Sequence, residues 1–190
     1  MANIDDFKAK LTGGGARANQ FKIHFAAPAI GIGPFTLDTT SFLVNAASLP
    51  GMTLGEIAVP FRGRTIYLAG DRTFDEVWTT TFLNDTDFSI RNAMEKWSNA
   101  INDLVTGKGE SNPTKYQTDL TVTQLDRSGK PPEGLKSYIF RNAWPTTISA
   151  IDLTSDTADA IEEFEVTWRY QRFEASKVTV PFTLDGAAGP

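Results

Sequence analysis

The sequence predicts a mainly β fold of the α+β kind: an antiparallel β-barrel or sandwich with one flanking α-helix. Three observations carry this. Short runs alternate apolar and polar residues, most regularly over 20–27 and 162–173. Turns bearing Gly and Pro separate those runs. One stretch alone has a helical period: Ile90, Met94, Trp97, Ile101 and Leu104 recur at i, i+4, i+7, i+11 and i+14, with Arg91, Glu95, Lys96, Ser98 and Asn102 mostly on the other side. Burying those five side chains is worth about 10 kcal/mol before entropy is subtracted. A helix of this length does not persist alone in water, so it must lie against a sheet.

In chain order, 1–19 is a flexible N-terminal segment, weakly helical near Asp5–Leu11 and followed by three consecutive glycines, Gly13–Gly15. These are a connector and not a phosphate loop, because no Gly-Lys-Ser/Thr follows and no strand precedes. In 20–27, Phe21, Ile23 and Phe25 share one side of a half-buried strand, and Lys22 and His24 the other. Residues 28–40 read as a loop and 42–47 as a short strand. Strands at 53–61 and 64–69 flank a basic tip, Arg62-Gly63-Arg64, whose glycine suits a tight hairpin turn. A turn at 69–74 leads to a strand at 75–83.

The helix is expected over 88–104, with Asp87 accepting first-turn N–H groups and Gly107 stopping the C-terminus. An exposed loop at 106–115 precedes strands at 117–125 and 136–144, a further strand at 146–153, and a polar connection at 155–160. In the last strand, 162–173, Phe164, Val166, Trp168 and Tyr170 face one way, and Glu163, Glu165, Thr167, Arg169 and Gln171 the other. Residues 174–190 form a C-terminal extension, loose at its end. One domain is expected over 1–190, with a β core at 20–173.

Chemistry is hard to find. The chain has no cysteine, hence no disulfide, thiolate metal site or cysteine nucleophile. His24 is the only histidine and sits on the polar side of its strand, which suits a surface position better than catalysis or a metal. Asp152, Asp156 and Asp159 lack the spacing of a calcium loop and read as a solvated acidic loop. Glu162, Glu163 and Glu165 could suggest paired carboxylates, but 163 and 165 simply share a wet strand face. No serine lies in a Gly-x-Ser-x-Gly elbow. Trp78, Trp144 and Trp168 could stack sugars, although their strand positions favour core packing. The net charge of −5 argues against gripping nucleic-acid phosphates, and suits a wall past which DNA slides without sticking. No signal peptide and no apolar run of spanning length is present, so a soluble chain is expected. No enzyme, cofactor or metal site emerges. Many sheet edges and a long hairpin with arginines at its tip point to a self-assembling structural role, with a carbohydrate-binding β domain as the rival class.

At Ala46-Ala-Ser-Leu-Pro-Gly51, Val59-Pro-Phe-Arg-Gly-Arg64 and Ala69-Gly-Asp-Arg-Thr-Phe-Asp75, the chain resembles the tail tube proteins of contractile-tailed, myovirus-type bacteriophages. The resemblance continues through Trp78-Thr79, Asn84-Asp85, Tyr116, Trp144-Pro145 and Glu163-Phe-Glu-Val166, with Ala16-Arg-Ala-Asn19 and Phe21 at its start. Most of 14–172 is covered, in order. Val77 is an apparent extra residue, expected as a bulge, and the segment after Phe173 extends beyond the family pattern.

The resemblance implies a tail-tube (Hcp-like) barrel, six copies to a ring, with rings stacked into the inner tube of a phage tail made in the host cytoplasm. Tape-measure protein and then genomic DNA would occupy the lumen unbound. Sheath, baseplate and tail-terminator proteins would be partners, and no membrane. The tube of a related contractile injection or secretion system, or a baseplate tube initiator, shares the architecture. Within this frame Arg62, Arg64, Asp71 and Arg72 are expected at contacts between subunits or rings, and Thr121, Thr123, Glu163 and Glu165 at the lumen.

Overall fold

The computed structural model describes residues 3–10, 16–32, 43–125, 136–156 and 160–176. The glycine run, most of the 28–40 loop, residues 126–134 between two of the expected strands, Asp159 and the extension beyond 176 lie outside the described residues. Chain order is α1 (Ile4–Lys10), β1 (Phe21–Phe25), β2 (Val44–Ala47), β3 (Met52–Phe61), β4 (Arg64–Phe74), β5 (Val77–Leu83), α2 (Ser89–Ile101), α3 (Pro113–Tyr116), β6 (Thr118–Gln124), β7 (Ser137–Ile148), β8 (Glu163–Arg169) and β9 (Arg172–Ala175).

All strand pairings are antiparallel. One sheet runs β1–β6–β7–β9 and the other β7–β8–β5–β2, so β7 belongs to both. The sheets face each other across an aromatic core. Phe25 of β1 meets Phe82 of β5 at 5.7 Å and Trp168 of β8 at 5.6 Å, and Trp78 of β5 stacks on Phe140 of β7 at 4.5 Å. The alternation read from sequence is what buries Ile23 and Phe25, Leu120 and Val122, and Phe164, Val166, Trp168 and Tyr170.

Helix α2 covers the sandwich with Ile90, Met94 and Trp97 buried. Trp97 packs edge-on against Trp168 at 5.6 Å and donates from Nε1 to the Tyr116 carbonyl. Arg91 donates to the Ser149 carbonyl and lies over the Phe164 ring. The helix ends three residues short of the expected 104. At that point Asp103 Oδ1 accepts from the backbone N–H groups of Val105 and Thr106 and from the Thr106 hydroxyl, folding the chain into its own turn. Leu104 is therefore 92% exposed instead of packed, and Gly107, although at φ +65°, stops nothing. At the other end Asp85, not Asp87, accepts from Ser89 N, because Phe88 adopts a left-handed conformation that brings Asp85 over the first turn. The 106–115 loop contains α3, capped by Asn112 on Thr114 N.

Four other differences have local causes. The turn expected at 69–74 is strand, because a bulge at Leu54–Glu56 lets β4 pair with β3 as far as Met52↔Phe74. The strands at 136–144 and 146–153 are one, since Pro145 sits at a register shift where no ladder N–H is required. The strand at 162–173 is two: the chain leaves the second sheet after Arg169 and joins the first at Arg172. Val77 is no bulge, for it continues the β5–β8 register opposite Arg169.

Candidate assembly surfaces

The hairpin β3–β4 is a sheet of its own and carries the most unusual surface. Arg62 (φ 44°) and Gly63 (φ 79°) form the tip, the left-handed pair that a two-residue hairpin turn demands. Residues directly opposite share a face, so Ile57/Leu68, Val59/Ile66 and Phe61/Arg64 make one side of the arm. All five of those apolar side chains are exposed, between 40% and 56%. An apolar strip of this kind on a projecting arm is the signature of a protein–protein contact. Arg62 lies 5.4 Å over the Phe61 ring.

The four residues expected at subunit contacts occupy both ends of this arm. Arg62 and Arg64 are at the tip. Asp71 and Arg72 are near the base, roughly 20 Å down the strand, where Arg72 reaches Met52 Sδ. Among the described residues none of the four makes an ion pair. The fold does not bring them together within one chain.

The residues expected at a lumen divide between the sheets. Thr121 and Thr123 are on the outer face of the first, opposite His24 and Lys22 of β1; Thr123 Oγ1 lies 3.1 Å from Ser137 Oγ. Glu163 and Glu165 are on the outer face of the second, opposite Leu83 and Thr81 of β5; Glu163 accepts from Asn45 Nδ2 at 2.7 Å. The outer faces of two sheets that share a core point away from each other, so one chain presents the two pairs in different directions. Thr79, Thr81 and Thr167 surround the glutamates. On the first sheet the charges are clamped. Arg141 donates to Asp119 at 2.6 Å and to Glu174 at 2.8 Å, and this pairing holds the Glu174 carboxyl below its usual value.

Trp78 and Trp168 are buried, and Trp144 is half-buried against Tyr116, so the three form no stacking platform. Among the described residues no group of three or more His, Asp or Glu is placed to hold a metal ion. His24 is exposed on β1. An open cleft of about 290 Å³, which sequence reading missed, lies beside Asp152, Leu153, Ala160 and Glu162. Leu153 on its lining is exposed, and so is Ile161, which lies in sequence between the lining residues Ala160 and Glu162. Two large apolar residues inside an acidic connection were the available signal.

The barrel-like β sandwich carries a projecting arm whose apolar face is exposed. The chain matches the family model described as phage tail tube protein over residues 16–176, and it belongs to that family. It is 27% identical over 172 residues to the tail tube protein of Serratia phage KSP90, covering 90% of this chain and 95% of that one. To the tail tube protein of Enterobacteria phage T4 it is 30% identical over 169 residues, covering 86% and 94%. A chain in the cryo-EM structure of the anti-feeding prophage baseplate has the same fold, with a TM-score of 0.58 at 13% identity, covering 87% of this chain and 98% of that one. The protein is thus a structural tail tube protein of a contractile-tailed phage, and its place is the virion tail.

Proposed function

We propose that this chain forms hexameric rings that stack into the inner tube of a contractile tail, the conduit for DNA ejection. The observation that carries the reading is the β3–β4 arm, whose apolar face is left open in the single chain. A ring also removes the outer edges of β1 and β2, which among the described residues have no neighbour on one side. Head-to-tail contacts close around the ring and run on as an open stack along the axis.

Within the tube the arm reaches the next ring, and Arg62 and Arg64 pair with carboxylates of a neighbour, Asp71 or the 152–163 stretch. Such pairs set register more than they add affinity. Asp71 and Arg72, at the base of the arm, lie at the same contact. The lumen is lined by the threonine-rich outer face bearing Glu163 and Glu165, a neutral-to-acidic wall that does not hold phosphates. Thr121 and Thr123 line it only where a neighbouring subunit turns its first sheet inward. Sheath protein surrounds the tube, baseplate and tail-terminator proteins hold its ends, and tape-measure protein precedes the genome inside it.

Negative-stain microscopy of the purified protein across a concentration series tests the reading. Rings or hollow tubes of uniform diameter are expected. Monodisperse particles at every concentration, with binding in a glycan screen, would replace it with a carbohydrate-binding domain. The fold shared with a baseplate chain makes a tube initiator the second reading, and copy number per particle separates the two.

A further inference from the structure

We propose that Phe61, flanked by Arg62 and Arg64 at the tip of the arm, docks in the cleft beside Leu153 and Glu162 of a second copy of this chain. The inference rests on the tube reading and names the socket that the arm occupies.

The plug is an aromatic ring with a basic collar. Phe61 is 56% exposed, and neither arginine beside it has an ion-pair partner among the described residues. The socket has the opposite character. It is an open cleft of about 290 Å³ with Asp152 and Glu162 on its lining and, among the described residues, no basic side chain. Leu153 is 79% exposed at the cleft and Ile161 68% beside it, so apolar surface is offered on both sides of the contact. Asp152 has no ion pair among the described residues, and Glu162 receives only the neutral Asn84 amide, at 2.9 Å. Neither carboxylate meets a cation among the described residues, so both are placed to receive one from outside.

An aromatic anchor filling a pocket, ringed by charge pairs, is the arrangement that concentrates affinity in few residues. Charge fixes which way round the plug enters. Within one chain the arm packs chiefly on itself. Plug and socket are therefore different surfaces of one molecule, and a contact between such surfaces passes from copy to copy instead of ending in a closed pair.

The chain has no cysteine, so introduced thiols report the contact alone. A Phe61→Cys/Leu153→Cys variant should give, on oxidation, a ladder of covalent multimers on a non-reducing gel. Phe61→Cys/Lys22→Cys, whose second thiol lies on the outer face of β1, should not. Equal cross-linking of the two variants would overturn the inference. So would charge reversals that do not compensate: Arg62→Glu/Arg64→Glu and Asp152→Arg/Glu162→Arg should each lose assembly, and the combined variant should recover it. The tube reading is judged separately, on whether the unmodified chain forms rings or tubes.

Discussion

The indole Nε1 of Trp168 donates a 2.8 Å hydrogen bond to Thr80 Oγ1 at the centre of the sandwich, with both residues at 0% exposure. It ties the C-terminal end of β8 to the middle of its neighbour β5. Replacing Thr80 by Val keeps the shape but leaves the indole N–H without an acceptor, at a cost of about 1–3 kcal/mol. Thr80→Ser should restore most of it. Urea denaturation, run below the concentration at which the chain assembles, measures both.

Helix α2 divides its apolar residues unequally. Met94 is at 0% exposure, and Met94→Ala should cost about 2–5 kcal/mol. Leu104 lies beyond the helix at 92% exposure, and Leu104→Ser should move stability by no more than about 0.5 kcal/mol. The same denaturation curves decide.

Acid should loosen β9. Glu174 accepts from Arg141 and, at 3.3 Å, from Arg172, and hydrogen bonding from Arg141 is the main cause of its lowered pKa. A carboxyl lowered in the folded state stabilises the fold above its unfolded value, near 4.5, and loses that contribution as pH falls through the folded value. Glu174→Gln should therefore be less stable at neutral pH, and should lose less on further acidification than the unmodified chain. Thermal melts from pH 7 to pH 3 test the sign.

The arm depends on a close backbone approach. A Cβ on Gly70 would sit 3.1 Å from the Gly55 carbonyl carbon and 3.2 Å from its oxygen, beside the bulge in β3. Gly70→Val should push the strands apart and re-aim the tip while leaving the sandwich intact. An unchanged melting temperature with loss of tubes in micrographs is the expected pair of results.

The proposed lumen wall should respond to its sign of charge. Glu163→Lys/Glu165→Lys would turn an acidic face basic and add phosphate contacts. Tubes carrying the variant should retain DNA fragments in a salt-dependent manner, which a filter-retention assay at two ionic strengths detects.

Most of the sandwich was legible because its strands are each half-buried, and period-2 alternation records that directly, as in Phe164, Val166 and Trp168. Sequence failed where the chain changes partners without breaking its pattern. Alternation runs from Trp168 through Tyr170, but the strand order switches sheets at Gln171, and Phe173 returns to the same aromatic cluster from the other side. Pro145 misled for the opposite reason: a residue that ordinarily ends a strand is harmless at a bulge. The arm was visible as a hairpin, and its arginines as a tip. The cleft was not visible, because its walls come from two stretches separated by a connection, and only folding sets Leu153 beside Glu162.

Strand β7 has a mechanical consequence. Because Ser137–Ile148 is bonded into both sheets, the two layers cannot shear past one another without bending a continuous backbone. An axial load entering one layer reaches the other through covalent chain as well as through side-chain packing. In the proposed tube, a column of such subunits would resist compression as a set of tied plates.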